Sequence, residues 1–163
     1  MGDAVAIEYI YPPNYVDGSN TTGHRRYVVR LTNISDGTGE AAVVKVNRSA
    51  LYVPGEPDNV LKGATVLMVE GIEYNVGGMT VQVFWHFNAG NEMIATFGGS
   101  AYAIASAGSG GASGTMDWRK YGGMRPSATA NADAADGDIL VTAVAAAAAV
   151  GGSYDITLYI KAK

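Results

Sequence analysis

Residues 79–87 read MTVQVFWHF, in which every second residue from Met79 to Phe87 is apolar and the intervening residues are polar except for Phe84. A period of two is that of a β-strand with one buried face and one face toward solvent. We therefore predict a strand here, with Trp85 in the core. The residues that share the apolar phase are Met79, Val81, Val83, Trp85 and Phe87.

The preceding run, residues 65–76 (TVLMVEGIEYNV), has the same period, with even-numbered positions from 66 to 76 in one phase. Gly77-Gly78 separates the two runs, and such a glycine pair is typical of a two-residue hairpin turn. The sequence thus predicts a hairpin over 65–87. A glycine inside a strand often marks a bulge, so we place one at Glu70-Gly71.

Short β-type runs separated by turn residues cover most of the remaining chain. Residues 26–32 (RYVVRLT) and 42–47 (AVVKVN) flank an Asp36-Gly37 turn, and we expect them to pair as a hairpin over 26–47. Strands at intervals of roughly 8 to 12 residues indicate an all-β protein, an antiparallel β-sandwich or jelly roll with long Gly-rich loops. Further strands are predicted at 4–11, 93–97, 102–105, 139–144 and 154–160.

The segments between these strands are less regular. Residues 48–64 have no periodicity, and the glycine- and serine-rich stretch 107–115 is predicted to be a flexible loop. The alanine run 145–149 allows two interpretations: a long hairpin over 139–160 with a tightly packed alanine face, or a helical turn before the last strand. The length of 163 residues fits one domain, 1–163, in which residues 1–23 form an N-terminal arm.

The composition restricts the classes of partner. Charged residues make up 16% of the chain, against roughly 25% in an average soluble domain. Such a surface is easily desolvated and suits a protein that packs against other proteins. The net charge is −4 and the only basic cluster is His24-Arg25-Arg26, so we expect no binding to nucleic acid. No apolar stretch reaches the roughly 18 residues of a membrane span, so we expect no membrane partner.

No catalytic, metal or cofactor site is predicted. The chain has no cysteine, and neither of its two histidines has neighbours with metal-ligand spacing. Glu70 and Glu73 are an odd number of residues apart on one strand, which points them to opposite faces and prevents a glycosidase pair. The acidic turns 36–40 and 131–138 match turn chemistry better than a calcium loop. We therefore expect a non-enzymatic protein without a cofactor.

The segment DWRKYGGMRP (117–126) is the candidate binding region. Exposed Trp, Tyr and Arg dominate protein interfaces, and aromatic rings also stack on sugars. The alternative is that these aromatic rings fold back onto the sandwich. The candidate interface residues here are Trp118, Arg119, Tyr121 and Arg125.

Several stretches together resemble small β-rich virion proteins of tailed bacteriophages, of the capsid decoration (cement) type. They are SDGTGE (35–40), VVKV (43–46), VEGIEYNVGGMTVQVFW (69–85), DWRKYGG (117–123) and GDILVT…GGSYDITLYIK (137–161). The alanine run departs from this pattern, since a more polar Thr/Gly turn is expected there.

The resemblance implies a protein that is made in the bacterial host cytoplasm and resides in the virion, on the capsid surface. It would bind the major capsid protein, as a homotrimer, and stabilise the assembled head. An N-terminal arm that adds a strand to a partner would fit this role and makes Ile7, Tyr9 and Tyr11 interface candidates. The alternative is a carbohydrate- or receptor-binding domain of a phage fibre, and a hydrolase is a distant third.

Overall fold

The computed structural model describes residues 3–13, 25–54, 61–98, 111–127, 136–145 and 152–163. These residues form an all-β structure of two antiparallel sheets, consistent with a β-sandwich, which confirms the predicted fold class. Sheet A has the strand order β1 (Ala4–Tyr11), β2 (Arg26–Ile34), β11 (Ser153–Ala162), β6 (Leu67–Gly77) and β9 (Gly111–Asp117). Sheet B has the order β3 (Glu40–Val46), β10 (Ile139–Ala145), β7 (Met79–Trp85) and β8 (Glu92–Gly98).

The core fills the space between the two sheets. Alternate residues of β7 and β11 point inward, and Trp85 is only 1% exposed, as predicted. β2 follows the same rule, with Tyr27, Val29 and Leu31 fully buried. Burial of a large apolar side chain contributes about 1.5–3 kcal/mol each, so this continuous layer is the main source of stability.

The predicted bulge in β6 is confirmed. Tyr159 of β11 lies opposite Gly71 and Ile160 lies opposite Val69, so Glu70 is the extra residue. The bulge reverses the inward phase of the strand: Val69 faces the core before it and Ile72 after it. The sequence pattern placed the even-numbered residues 66–76 on one face of the strand. That prediction is wrong, because these residues point outward before the bulge and inward after it.

The two predicted hairpins, over 26–47 and 65–87, are wrong, and so is the hairpin alternative for 139–160. The strands of each pair lie in different sheets: β2 and β6 belong to sheet A, whereas β3 and β7, which follow them, belong to sheet B. The predicted hairpin over 139–160 likewise divides into β10 of sheet B and β11 of sheet A. The strands before and after each connection therefore lie in different sheets of the sandwich and pair with strands distant in sequence.

The real neighbours follow from the pairing registers. β11 pairs with both β2 and β6, β10 pairs with both β3 and β7, and β7 and β8 form a true hairpin. The glycines of two crossing turns meet directly, since a Cβ on Gly152 would lie 2.9 Å from the carbonyl oxygen of Gly78. A side chain at position 152 would therefore force the two turns apart.

Several segments that the sequence indicated as irregular are ordered. The stretch 48–64 contains a 3₁₀ turn (Arg48–Ala50) and two short paired strands, β4 (Tyr52–Pro54) and β5 (Leu61–Gly63). Residues 111–115, predicted to be flexible, belong to β9 and pair with β6. The predictions for 102–105, for 107–110 and for the alanines 146–149 lie outside the described residues.

Candidate interaction surfaces

The segment 117–127 lies beyond β9 at one edge of sheet A. The guanidinium of Arg119 forms an ion pair with the carboxylate of Asp117, with Nε 3.0 Å from Oδ1. The backbone N–H of Arg119 donates a hydrogen bond to the same oxygen at 2.9 Å. These two contacts, the guanidinium first, lower the pKa of Asp117 to about 2. A 3₁₀ turn (Arg119–Tyr121) follows and ends at Gly122 in the left-handed conformation. Arg119 is thus held locally rather than extended toward a partner.

The two candidate aromatic residues of this segment differ in environment. Trp118 is half-buried and packs against the core, whereas Tyr121 is 78% exposed, more than any other described large apolar side chain. Arg125 is also exposed, one residue after Met124, which is bridged to Val69 of β6. Of the predicted residues, Arg119, Tyr121 and Arg125 therefore lie on the surface and Trp118 folds back onto the sandwich.

The N-terminal candidates lie on β1, which is the outermost strand of sheet A and pairs with β2 of the same chain. Ile7 is 44% exposed and Tyr11 is 46% exposed. Tyr9 is half-buried and packs edge-on against Tyr27, with ring centroids 6.4 Å apart. Ala4–Tyr11 is thus a strand of the sandwich itself and the edge strand of sheet A within the described residues.

The outer face of sheet A carries a row of polar residues, together with two exposed apolar residues, Ile10 and Ile34 (48% and 60% exposed). One row of directly opposed residues crosses all five strands. Arg30 in this row pairs with Asp155, Nε to Oδ1 at 2.9 Å, and this pair lowers the pKa of Asp155 and raises that of Arg30. The row, here called the polar row, consists of Glu8, Arg30, Thr157, Glu73 and Thr115.

A shallow groove of ≈ 430 Å³ lies on this polar face. Its floor includes Arg30, Glu73 and Thr115 of the polar row, with Asn75 beside them. Tyr159 stands next to it and donates a hydrogen bond to Glu73 at 3.0 Å; burial and this contact raise the pKa of Tyr159. The groove offers both donors and acceptors to a polar ligand.

The outer face of sheet B carries an apolar row, one member of which, Leu140, is only 3% exposed. Four apolar residues lie directly opposite one another in β3, β10, β7 and β8. The two outer members, Val44 and Met93, are 47% and 49% exposed. Among the described residues, their outward neighbours on β7 and β10 are the uncharged Thr80, Gln82 and Thr142. This set, here called the apolar row, is Val44, Leu140, Phe84 and Met93.

The sequence contains signals for both rows that periodicity alone does not reveal. Each row is assembled from single residues of four or five strands, so it is visible only when strand partners are known. Met93 and Phe84 stand in the solvent phase of their strands, and an apolar residue in that phase is the signal that was missed.

A buried polar cluster joins the two sheets near the β2–β3 connection. The carboxylate of Glu40 forms an ion pair with the ammonium of Lys45 and accepts hydrogen bonds from Tyr154 (2.6 Å) and Asn33 (2.8 Å). The side chains of Glu40 and Lys45 are only 6% and 1% exposed. Burial, followed by the bond to Glu40, raises the pKa of Tyr154. The Glu40 carboxylate of sheet B is thus bonded to Asn33 and Tyr154 of sheet A, which links the two sheets, while the side-chain oxygen of Asn33 is buried without a hydrogen bond.

Three further findings concern sites and relatives. Within the described residues, no group of three or more His, Asp or Glu side chains is placed to hold a metal ion. No helix among them is long and apolar enough to cross a membrane. Comparisons with protein-family models, with curated proteins and with solved structures find no match to this chain.

Proposed function

We propose that this chain is a non-enzymatic structural protein of a tailed-phage virion, of the capsid decoration type. In this role it binds the major capsid protein on the surface of the assembled head, as a homotrimer, and stabilises the head. The resemblance of its sequence stretches suggests the class. The observation that best supports a docking role is the apolar row on sheet B, whose outer members Val44 and Met93 are 47% and 49% exposed, although Leu140 between them is buried.

The apolar row is the surface that we assign to the head. Val44 and Met93 are about half exposed, and among the described residues of β7 and β10 beside them no charge has to be desolvated on contact. Between them Phe84 is partly exposed and Leu140 is buried, so the apolar groups that this face offers to a partner are Val44, Phe84 and Met93. The polar face would then point away from the capsid.

The test is co-sedimentation of the purified chain with assembled heads of the phage that encodes it. Unassembled capsid subunits serve as the comparison, since a decoration protein recognises the assembled surface. We expect Met93→Glu and Val44→Glu to reduce binding by at least about tenfold, because each places a carboxylate in a desolvated contact. Ser113→Glu, on the opposite face, is the matched control and should bind normally.

Absence of binding to assembled heads by the folded wild-type chain would contradict the proposal. Equal binding by Ser113→Glu and by the two apolar-row variants would leave a head-binding protein that docks through another surface.

The groove on the polar face favours a second candidate, a carbohydrate- or receptor-binding domain of a phage fibre. Its donors and acceptors, Arg30, Glu73 and Asn75, suit a polyhydroxylated ligand, and the exposed ring of Tyr121 could stack on a sugar. A glycan array separates the two candidates. A specific glycan whose binding falls at least about tenfold in Glu73→Ala, with apolar-row variants unaffected, would favour the fibre domain.

A further inference from the structure

Three side chains of the buried polar cluster form a chemically reactive set. Lys45 supplies a primary amine, Asn33 supplies a carboxamide, and the carboxylate of Glu40 contacts both. The Oε1 atom of Glu40 pairs with Nζ of Lys45, and its Oε2 atom accepts a hydrogen bond from Nδ2 of Asn33 at 2.8 Å. Because both nitrogens bind one carboxylate, the amine and the carboxamide are neighbours, although they lie on strands of different sheets.

These three residues are shielded from water. Asn33 is 1% exposed, and the side chains of Lys45 and Glu40 are 1% and 6% exposed. Lysine is almost never fully buried unless it is paired, and even a buried ion pair often adds no stability over apolar residues of similar volume. Stability alone therefore does not account for a lysine at this position. A desolvated lysine with a base beside it is, by contrast, a common form of activated nucleophile in proteins.

The carboxamide of Asn33 is held by its nitrogen. Nδ2 donates hydrogen bonds to Glu40 and, at 3.1 Å, to Oδ2 of Asp3, whereas the buried Oδ1 has no hydrogen bond. Buried polar atoms are nearly always paired, so an exception calls for a physical explanation. The contacts place the nitrogen of the carboxamide, and not its oxygen, against the group that can protonate it.

We propose that Lys45 and Asn33 form an isopeptide bond, with Glu40 as the proton carrier. Glu40 takes a proton from the ammonium of Lys45, and the neutral amine attacks Cγ of Asn33. Glu40 then gives that proton to Nδ2 and takes a second one from the attacking nitrogen. The Cγ–Nδ2 bond breaks and ammonia leaves. The products are a secondary amide between the two side chains, ammonia and protonated Glu40, so atoms and charge balance without a co-reactant.

The position of Glu40 suits this role. Its Oε1 faces the nucleophile and its Oε2 faces the leaving group, so one carboxylate serves both proton transfers. Tyr154 donates a hydrogen bond to Oε2 at 2.6 Å and thereby orients the carboxylate. Attack requires Nζ to come within about 3–3.5 Å of Cγ, and the flexible four-carbon stem of lysine allows that approach. Asp3, the other acceptor of the leaving nitrogen, is partly exposed, so ammonia leaves toward solvent.

The bond would join β2 of sheet A covalently to β3 of sheet B, in a chain that has no cysteine and hence no disulfide. It forms once per chain, which is compatible with a non-enzymatic protein, and the inference does not rest on the virion role. The ion pair of Lys45 with Glu40 is the state that precedes the bond. Its own contribution to stability is therefore measured on chains of full mass, purified before the bond has formed.

Intact-mass spectrometry tests the proposal. After prolonged incubation we expect the wild-type chain to weigh about 17 Da less than its sequence, because one ammonia is lost when the amine acylates. Peptide mapping should then show one branched peptide that joins the side chains of Asn33 and Lys45, with no tryptic cleavage after Lys45. A chain that keeps its full mass would overturn the proposal. So would a loss of ammonia without the branched peptide, which would indicate a cyclic imide at an asparagine.

Three variants, each with a fold verified by circular dichroism, separate the roles of the residues. Lys45→Met and Asn33→Ala remove a reacting group and should keep the full mass. Glu40→Gln keeps the shape of the side chain but carries no proton, so it should react at least about a hundredfold more slowly. The matched surface controls Lys120→Met and Asn75→Ala should lose ammonia as the wild type does. Reaction of Glu40→Gln at the wild-type rate would overturn the role of Glu40.

The bonded wild-type chain should melt about 6–12 °C above the unbonded wild-type chain, because the bond closes a loop in the unfolded state. Equal melting temperatures would mean that the bond does not restrain the unfolded chain and would contradict a structural role for it. A chain of full mass that still sedimented with phage heads would leave the proposed function standing and remove only this inference.

Discussion

Replacing Lys45 by methionine is the most informative perturbation of the fold, because the substitution removes one charge of a pair that water cannot reach. Methionine keeps most of the volume and the flexible stem, so packing changes little. What remains is the carboxylate of Glu40, 6% exposed, without its ammonium partner. The two hydrogen bonds from Tyr154 and Asn33 still reach that carboxylate.

The magnitude follows from these contacts. Breaking a buried ion pair by removing one partner costs about 3–5 kcal/mol. Because Glu40 keeps two charge-assisted hydrogen bonds, we expect the lower end, about 3 kcal/mol for Lys45→Met. For a domain of this size that corresponds to a melting temperature lower by about 6–12 °C.

The measurement is urea unfolding followed by tryptophan fluorescence, to which the buried Trp85 and the half-buried Trp118 both contribute. An unchanged m-value would show that the substitution alters stability and not the surface exposed on unfolding. The double variant Lys45→Met with Glu40→Gln should recover to within about 1–2 kcal/mol of the wild type, since no unpaired charge is left. The matched control is Arg30→Met, which breaks the exposed pair with Asp155 and should cost less than about 1 kcal/mol. A cost below about 1 kcal/mol for Lys45→Met would refute the reasoning, because it would mean that water reaches the pair.

Three further predictions concern other parts of the molecule. Gly98→Ala should lower the free energy of unfolding in urea by about 2 kcal/mol or more, because Gly98 has φ +130° and an added Cβ would clash with the carbonyl oxygen of Met79. Gly90 has φ +133° with open space around it, so Gly90→Ala measures the cost of the backbone conformation alone. The pKa of Asp3 is lowered, chiefly by the backbone N–H of Asp36, so the stability that Asp3 contributes is present above its ordinary value of 3.8 and is lost as the pH falls through the lower folded value. The stability difference between wild type and Asp3→Asn should therefore shrink between about pH 6 and about pH 3 in urea unfolding series. Tyr121→Ser should change the unfolding free energy by no more than about 0.5 kcal/mol, because the ring is 78% exposed.

The local part of the fold could be predicted from the sequence. The period-two pattern located β7 and identified its buried face, β-type runs located β2 and β11, and one strand-interior glycine located the bulge of β6. These features depend on residues within one strand, whose side chains alternate whatever the strand's neighbour is.

Strand partners could not be predicted, and the turn at Gly77-Gly78 shows why. In a two-residue hairpin, Val76 and Met79 would oppose each other on one face, and both are indeed buried. A turn that crosses between sheets also points both residues at the space between the sheets. The same pattern therefore fits both topologies, and only the competition among distant strands decides between them.

The exposed surfaces of both sheets depend on which strands pair, which the sequence pattern does not determine. Had β3 paired with β2 as a hairpin, it would have occupied the position beside β2, and residues 4–11 would have been left as an unpaired arm. Because β3 crosses to sheet B, that position is vacant and β1 fills it, one strand beyond the cover that sheet B provides. The exposure of Val5 and Ile7 is thus a consequence of topology rather than of composition. The same crossing sets Val44 beside Leu140, and so creates the apolar row on the outer face of sheet B.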